Sequence, residues 1–199
     1  MRRLTIISTG GTIEKTYDEH SGALENRQSV IKQMLGRLRL EDTTIDTVAL
    51  LSKDSLDFTD DDRARILAQV RLLIEAAVVG QSDPGAGGCD GVIILHGTDT
   101  LCTTGELLHQ ELNGSPSVPV VLTGAMRPFE MKESDALQNL NEAIFAAGLL
   151  GGKAFNSPAS GAPAIRCRGG GVWVAAHGNC LRFPGPTKDR ARGTFAIAE

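Results

Sequence analysis

The chain has 199 residues, 20 Lys and Arg against 24 Asp and Glu, a formal net charge of −4, and 41% hydrophobic residues. That length can bury the core of one large domain, and the balance of apolar and charged residues excludes a disordered chain. The small negative charge leaves no electrostatic footprint for nucleic acid, and no apolar run approaches the roughly 20 residues that span a bilayer.

Met1-Arg2-Arg3 leads into Leu4-Thr5-Ile6-Ile7, a stretch too short for the roughly 7–15 apolar residues of a secretory leader. It predicts a first strand over 4–8, in a cytoplasmic protein. Residues 29–38 predict a helix carrying Val30, Ile31, Met34, Leu35 and Leu38, and 44–51 a second strand. Residues 59–79 give the clearest helix, with Thr59-Asp60-Asp61-Asp62 as cap and acidic first turn. Its Ile66, Leu67, Val70, Leu73, Ile74, Ala77 and Val78 are expected to share one face. A strand over 91–96, a helix over 103–112, a strand over 118–123, a helix over 134–150 capped by Ser134, and a strand over 171–177 complete the series. Alternation of this kind predicts an α/β fold, a mostly parallel sheet with helices on both faces. Its ligands are expected beyond the carboxyl ends of the strands.

Two stretches interrupt the pattern, a glycine-rich connector over 80–90 and an irregular insert over 151–171. Both read as surface loops without chemistry, and neither as a domain boundary, so residues 1–199 are expected to form a single domain. Cysteines 89, 102, 167 and 180 form no CxxC pair and have no closely spaced histidine. They predict no metal site and no disulfide framework, but buried thiols in a reducing compartment.

The 23 glycines exceed the average expectation of about 14. Several punctuate strand ends: Thr9-Gly10-Gly11-Thr12-Ile13, His96-Gly97-Thr98-Asp99-Thr100 and Thr123-Gly124-Ala125-Met126-Arg127-Pro128. Gly10, Gly11, Gly97, Gly105 and Gly124 are assigned to this rim, where glycine lets a ligand approach backbone N–H groups. One such turn alone is ordinarily a tight turn before a helix; three converging on one edge predict a site. The first matches neither the GxxxxGK[ST] nor the GxGxxG phosphate loop. A threonine hydroxyl needs a base before it becomes a nucleophile. His96 ends a buried strand and reads equally as a core histidine, whereas a lysine of lowered pKa can serve. Physics alone does not choose among the six lysines. Asp99 is suited to orient such a lysine and to bind a cationic group.

These residues resemble the two-threonine L-asparaginase and glutaminase-asparaginase family. Thr9-Gly10-Gly11-Thr12-Ile13 and His96-Gly97-Thr98-Asp99-Thr100 are similar to its two signatures, and Ser55-Leu56-Asp57-Phe58-Thr59 to its S-x-D-M-T segment. Leu122 to Pro128, then Ser134-Asp135 and Asn139-Leu140, resemble the stretch after the fourth strand. The resemblance implies the fold of that family's N-terminal domain and an enzyme converting L-asparagine to L-aspartate and ammonia without metal or cofactor. It implies Thr12 as nucleophile, Tyr17 as the mobile tyrosine that activates or orients it, and Thr98, Asp99 and a lysine as a second triad. Asp99 would also take the substrate α-ammonium, Ser55 its α-carboxylate, Gly11, Gly97 and Thr98 further contacts, and Ala125 the side-chain amide through its carbonyl. Thr187-Lys188-Asp189 fits the family's lysine context better than Lys153 in the irregular insert. Leu56 stands where some members have a glutamine that contacts substrate.

Longer members carry a second, C-terminal domain, so the resemblance implies a short form without it. It also implies a homodimer or higher homo-oligomer; the charge and hydropathy predict no nucleic-acid or membrane partner, and the cysteines a cytoplasmic protein. Two other functions remain open: a non-catalytic module that binds asparagine or aspartate, and a glutaminase or amidotransferase-type amidase.

Overall fold

Runs of β-branched residues buried on two sides become the strands, and the capped amphipathic segments become the helices. The computed structural model describes residues 1–27, 29–82, 88–114, 116–151 and 170–197. In chain order these form β1 (Arg2–Gly10), β2 (Thr16–Asp18), β3 (Ala23–Glu25), α1 (Ile31–Leu35), β4 (Thr43–Lys53), α2 (Asp60–Ser82) and β5 (Gly91–Leu95). They continue as α3 (Leu101–Glu111), β6 (Pro119–Thr123), α4 (Ala136–Leu150), β7 (Gly171–Ala176), β8 (Asn179–Arg182), β9 (Pro186–Asp189) and β10 (Thr194–Ile197). Single 3-10 turns, Thr12–Glu14 and Ser55–Asp57, follow β1 and β4.

Six strands share one sheet in the order β4-β1-β5-β6-β7-β8. All neighbours pair parallel except β8, which runs antiparallel to β7. The chain thus winds from β1 outward to β4, then returns to the other side of β1 with β5. Such a reversal splays two consecutive strand-end turns apart and opens a crevice between them. The α/β fold expected from the sequence is the fold observed.

Residues of β5 and β6 are buried throughout, which is why those segments read as continuous apolar runs rather than alternating ones. Successive residues point to opposite faces. Ile7, Ile94 and Leu122 meet Phe58, Ile66 and Val70 and the Leu101 and Leu108 of α3 on one side. Ile6, Ile93 and Val121 meet Val30, Ile31, Met34 and the Leu140, Ala143 and Ala147 of α4 on the other.

The helix over 59–79 is present as α2, opened by a reciprocal cap. Asp62 N–H donates to Thr59 Oγ1 at 3.2 Å and Thr59 N–H donates to Asp62 Oδ2 at 3.0 Å. Its apolar face is narrower than expected, because Val78 is 50% exposed while its neighbour Ala77 is buried. The helix expected over 29–38 shrinks to α1, and the Ser29 hydroxyl at its expected start donates to Glu14. Gly105 serves packing rather than the rim: a Cβ there would lie 2.1 Å from Phe183 Cζ. The pairs β2–β3 and β9–β10 were not among the expected elements. Most of the 151–171 insert, Lys153 and Cys167 within it, and residues 83–87 of the 80–90 connector lie outside the described residues.

Candidate active site

Four turns meet at the carboxyl edge of the sheet with no room between their backbones. Gly10 and Gly11 leave β1 with φ of 93° and 80°, a region that L side chains rarely adopt. A Cβ on Gly11 would lie 2.4 Å from Gly97 Cα, and one on Gly97 would lie 2.5 Å from Ser55 Oγ. A Cβ on Gly124 would lie 2.3 Å from the His96 carbonyl oxygen and 3.1 Å from Thr98 Cγ2. The turns after β1, β4, β5 and β6 are therefore locked together through glycine, which brings the neighbourhoods of Thr12, Ser55, Thr98 and Ala125 to one place.

The lysine arrives from outside the main sheet. Lys188, on β9, donates from Nζ to Thr98 Oγ1 at 2.7 Å and to Asp99 Oδ1 at 3.1 Å. Thr98 is buried, and only 15% of the Lys188 side chain is exposed, so this contact is screened little by solvent. Arg190, just beyond on the same hairpin, reaches the same Asp99 oxygen at 3.2 Å but is 73% exposed. Asp189 fixes that turn by accepting from the N–H groups of Ala191 and Arg192 at 3.0 and 2.9 Å.

Ser55 is 1% exposed, and its hydroxyl has no hydrogen-bond partner among the described residues. Buried hydroxyls are rarely left unpaired, because desolvation without a partner costs about 1–3 kcal/mol. The backbone around it is held tightly. Thr100 Oγ1 donates to the Ser55 carbonyl at 2.9 Å, and Asp54 Oδ1 accepts from Leu56 N–H at 3.1 Å. Lys15 reaches Asp54 at 2.7 Å and holds its carboxyl below the usual carboxylate value. This pair joins the Thr12 turn to the Ser55 turn. Leu56 points outward, 67% exposed.

The fourth turn hangs on α4. Asp135 accepts from Met126 N–H at 2.9 Å and Arg127 N–H at 3.0 Å, and Asn139 Nδ2 donates to the Gly124 carbonyl at 2.9 Å. Burial pushes the Asp135 carboxyl up, but hydrogen bonds from Met126 N–H, His177 and Arg127 N–H outweigh it and leave the group below its ordinary value. Asp135 and Asn139 thus hold the backbone at buried Ala125.

Two histidines are structural by their surroundings. His96 is fully buried, with Nδ1 2.8 Å from the Gly97 carbonyl and Nε2 2.8 Å from Thr104 Oγ1. Burial pushes its pKa down to about 4, so it is neutral at pH 7. His177 Nε2 lies 2.8 Å from Asp135.

Thr12 is half-buried at the start of its 3-10 turn, and no described residue hydrogen-bonds its hydroxyl. Tyr17 stands apart on β2, 58% exposed, with its backbone N–H donating to Glu130 at 3.0 Å. Sequence reasoning missed Lys15, Asp54 and Arg190. Asp54, two residues before the N–H it caps, carried the local signature of an Asx turn; the two cations carried none. Among the described residues, no group of three or more His, Cys, Asp or Glu is placed to hold a metal ion.

The sequence profile described as "Asparaginase, N-terminal" matches residues 3–188. The chain belongs to the asparaginase family. It is 33% identical to an L-asparaginase of Thermococcus kodakarensis over 142 residues, 71% of this chain and 39% of that protein. It is 32% identical to one subunit of the glutamyl-tRNA(Gln) amidotransferase of Methanobrevibacter smithii over 147 residues, 73% of this chain and 31% of that protein. The solved thermostable L-asparaginase from Thermococcus kodakarensis superposes with a TM-score of 0.72 at 28% identity, covering 98% of this chain and 51% of that one. The asparaginase-family chain described here thus spans about half the length of that solved relative, or less of the others. No helix among its described residues is long and apolar enough to cross a membrane.

Proposed function

We propose that the chain hydrolyses the side-chain amide of L-asparagine to L-aspartate and ammonia. The observation that carries this reading is the 2.7 Å contact between Lys188 Nζ and Thr98 Oγ1, at the winding reversal that also presents Thr12. Thr12 Oγ attacks the amide carbon, its proton passes to the departing nitrogen, and the C–N bond breaks to release ammonia and leave an ester on Thr12. Water then attacks the ester carbon, returning the proton to Thr12 Oγ and freeing the new carboxylate. Tyr17 orients or activates Thr12 from the β2 side. Thr98, Asp99 and Lys188 polarise the nucleophile or activate the water. Backbone N–H groups about Gly11, Gly97 and Thr98 stabilise the oxyanion, the contribution that is usually largest.

The α-carboxylate of the substrate fits Ser55, whose buried hydroxyl has no partner among the described residues. The α-ammonium fits Asp99, and the Ala125 carbonyl accepts from the side-chain amide. The same reading has the protein working in the cytoplasm as a homodimer or higher homo-oligomer, without metal or cofactor. Ammonia release from L-asparagine and L-glutamine, measured side by side, tests it. Release with L-asparagine, abolished in Thr12→Ala and Thr98→Ala variants that keep the fold, is expected. Full activity in Thr12→Ala would remove that residue as nucleophile.

A second reading is favoured by the likeness to the glutamyl-tRNA(Gln) amidotransferase subunit. In it the same site is the amidase of a larger assembly and passes ammonia onward. Release that is negligible alone and rises only with a second protein present would favour it. Calorimetric binding of aspartate with no turnover under either condition would instead support a binding module.

A further inference from the structure

Glu14 is a charged residue two positions past Thr12, yet only 2% exposed. Among the described residues, its hydrogen-bond partners are all neutral. One carboxylate oxygen accepts from Ser8 Oγ at 2.5 Å and Gly10 N–H at 3.1 Å, and the other from Ser29 Oγ at 2.5 Å. A carboxylate inside a protein is costly unless its oxygens are hydrogen-bonded, so these three donors form a built cradle. They come from the end of β1, from the turn itself and from the segment before α1. The backbone already closes one ring here, with Glu14 N–H donating to the Gly11 carbonyl at 3.1 Å. The Glu14 side chain closes a second by returning to Gly10 N–H, and Thr12 sits inside both.

We propose that Glu14 is a positioning residue for Thr12, fixing the positive-φ pair Gly10-Gly11 so that the Thr12 hydroxyl faces the Thr98–Lys188 side of the site. The inference rests on the reading of Thr12 as nucleophile. A reacting group displaced by about 1 Å can lose on the order of a hundredfold in rate, so a side chain that never touches substrate can govern kcat. Glutamine has the same shape. Its oxygen can keep Gly10 N–H, and its NH2 can donate to a serine hydroxyl, which accepts as readily as it donates.

The test compares Glu14→Ala, Glu14→Gln and Ser29→Ala with the parent protein, reading ammonia release from L-asparagine and hydrogen exchange at the Gly10 amide. Glu14→Ala is expected to lower kcat by about 10- to 100-fold with KM within about twofold, and to speed Gly10 exchange. Glu14→Gln is expected to restore kcat to within about threefold and to slow the exchange again; Ser29→Ala, whose serine is exposed, should fold and lose about threefold or more in kcat. Parent-like kcat in both Glu14→Ala and Ser29→Ala overturns the proposal, as does a Glu14→Ala loss shared between kcat and KM that glutamine does not restore. If Glu14→Ala does not fold, Ser29→Ala decides: parent-like kcat with parent-like Gly10 exchange in it overturns the proposal. A parent that releases no ammonia, alone or with a second protein present, while Gly10 exchange still answers to Glu14 would sink the nucleophile reading and leave Glu14 fixing the turn.

Discussion

Lys188 Nζ donates to Thr98 Oγ1 at 2.7 Å across 90 residues of chain. One partner lies in the turn after the buried central strand β5; the other lies on a two-stranded hairpin outside the main sheet. The contact therefore depends on tertiary docking of β9 against α3 and the turn before it. Its loss should be chemical rather than structural. Lys188→Met is expected to lower kcat for asparagine by at least about a hundredfold, the lower range for an acid–base group, with a melting temperature near that of the parent. Lys188→Arg is not expected to rescue, because a guanidinium stays protonated. Steady-state kinetics beside a thermal melt check both.

Ser55 makes the opposite kind of prediction. Its hydroxyl is buried without a partner among the described residues, so Ser55→Ala removes an unsatisfied group and should leave stability unchanged or raise it by up to about 1 kcal/mol. KM for L-asparagine should rise about tenfold as the α-carboxylate loses its donor. A denaturant titration paired with the KM decides: a destabilised variant with parental KM would remove Ser55 from the site.

Arg190 shares Asp99 Oδ1 with Lys188 and, on the proposed reading, competes there with the substrate α-ammonium. Exposed ion pairs contribute about 0–1 kcal/mol, so Arg190→Ala should lower KM for L-asparagine by at most about fivefold. The effect should fade for succinamate, the same amide without an α-amino group. Equal changes for both substrates would separate Arg190 from the α-ammonium subsite.

Acid stability should fall in two stages. Burial lowers His96 from 6.5 to about 4, so between those values the unfolded chain takes up a proton that the folded one refuses, and stability declines as pH falls. Below that window, Asp18 and Asp62 are each lowered from 3.8 to about 2. For Asp18 the leading cause is the bond to Ser21; for Asp62 it is the Thr59 N–H, then Lys53. Their contribution is complete above about pH 4 and disappears as pH falls through 2. Melting temperature against pH should show both declines, and Asp62→Asn should flatten the second.

The sequence made the central strands plain because β5 and β6 are covered on both faces, and full burial demands apolar side chains at every position. The α2 start was equally plain, since Thr59 and Asp62 act on each other locally. The hairpin β9–β10 was not: Pro186-Thr187-Lys188-Asp189 is a short polar strand whose partners lie in the other strand and in α3. Lys188 was reached through family resemblance rather than through any pattern in its own neighbourhood. Glu14 was hidden for a related reason. Its burial depends on Ser8 and Ser29, and nothing about a charged residue after a threonine signals a cradle closing around it. Lys15 and Asp54 meet across 39 residues, beyond the reach of any local periodicity.

The order in which the ribosome delivers these pieces gives the β9 hairpin a further meaning. Every strand of the six-stranded sheet precedes it in the chain. A nascent chain that has extruded β8 already holds all six strands and the four turns at their carboxyl edge. It still lacks the ammonium that joins Thr98 to Asp99. On the proposed reading, translation delivers the strands before the lysine that arms the site, and a product truncated before residue 188 should release no ammonia from L-asparagine.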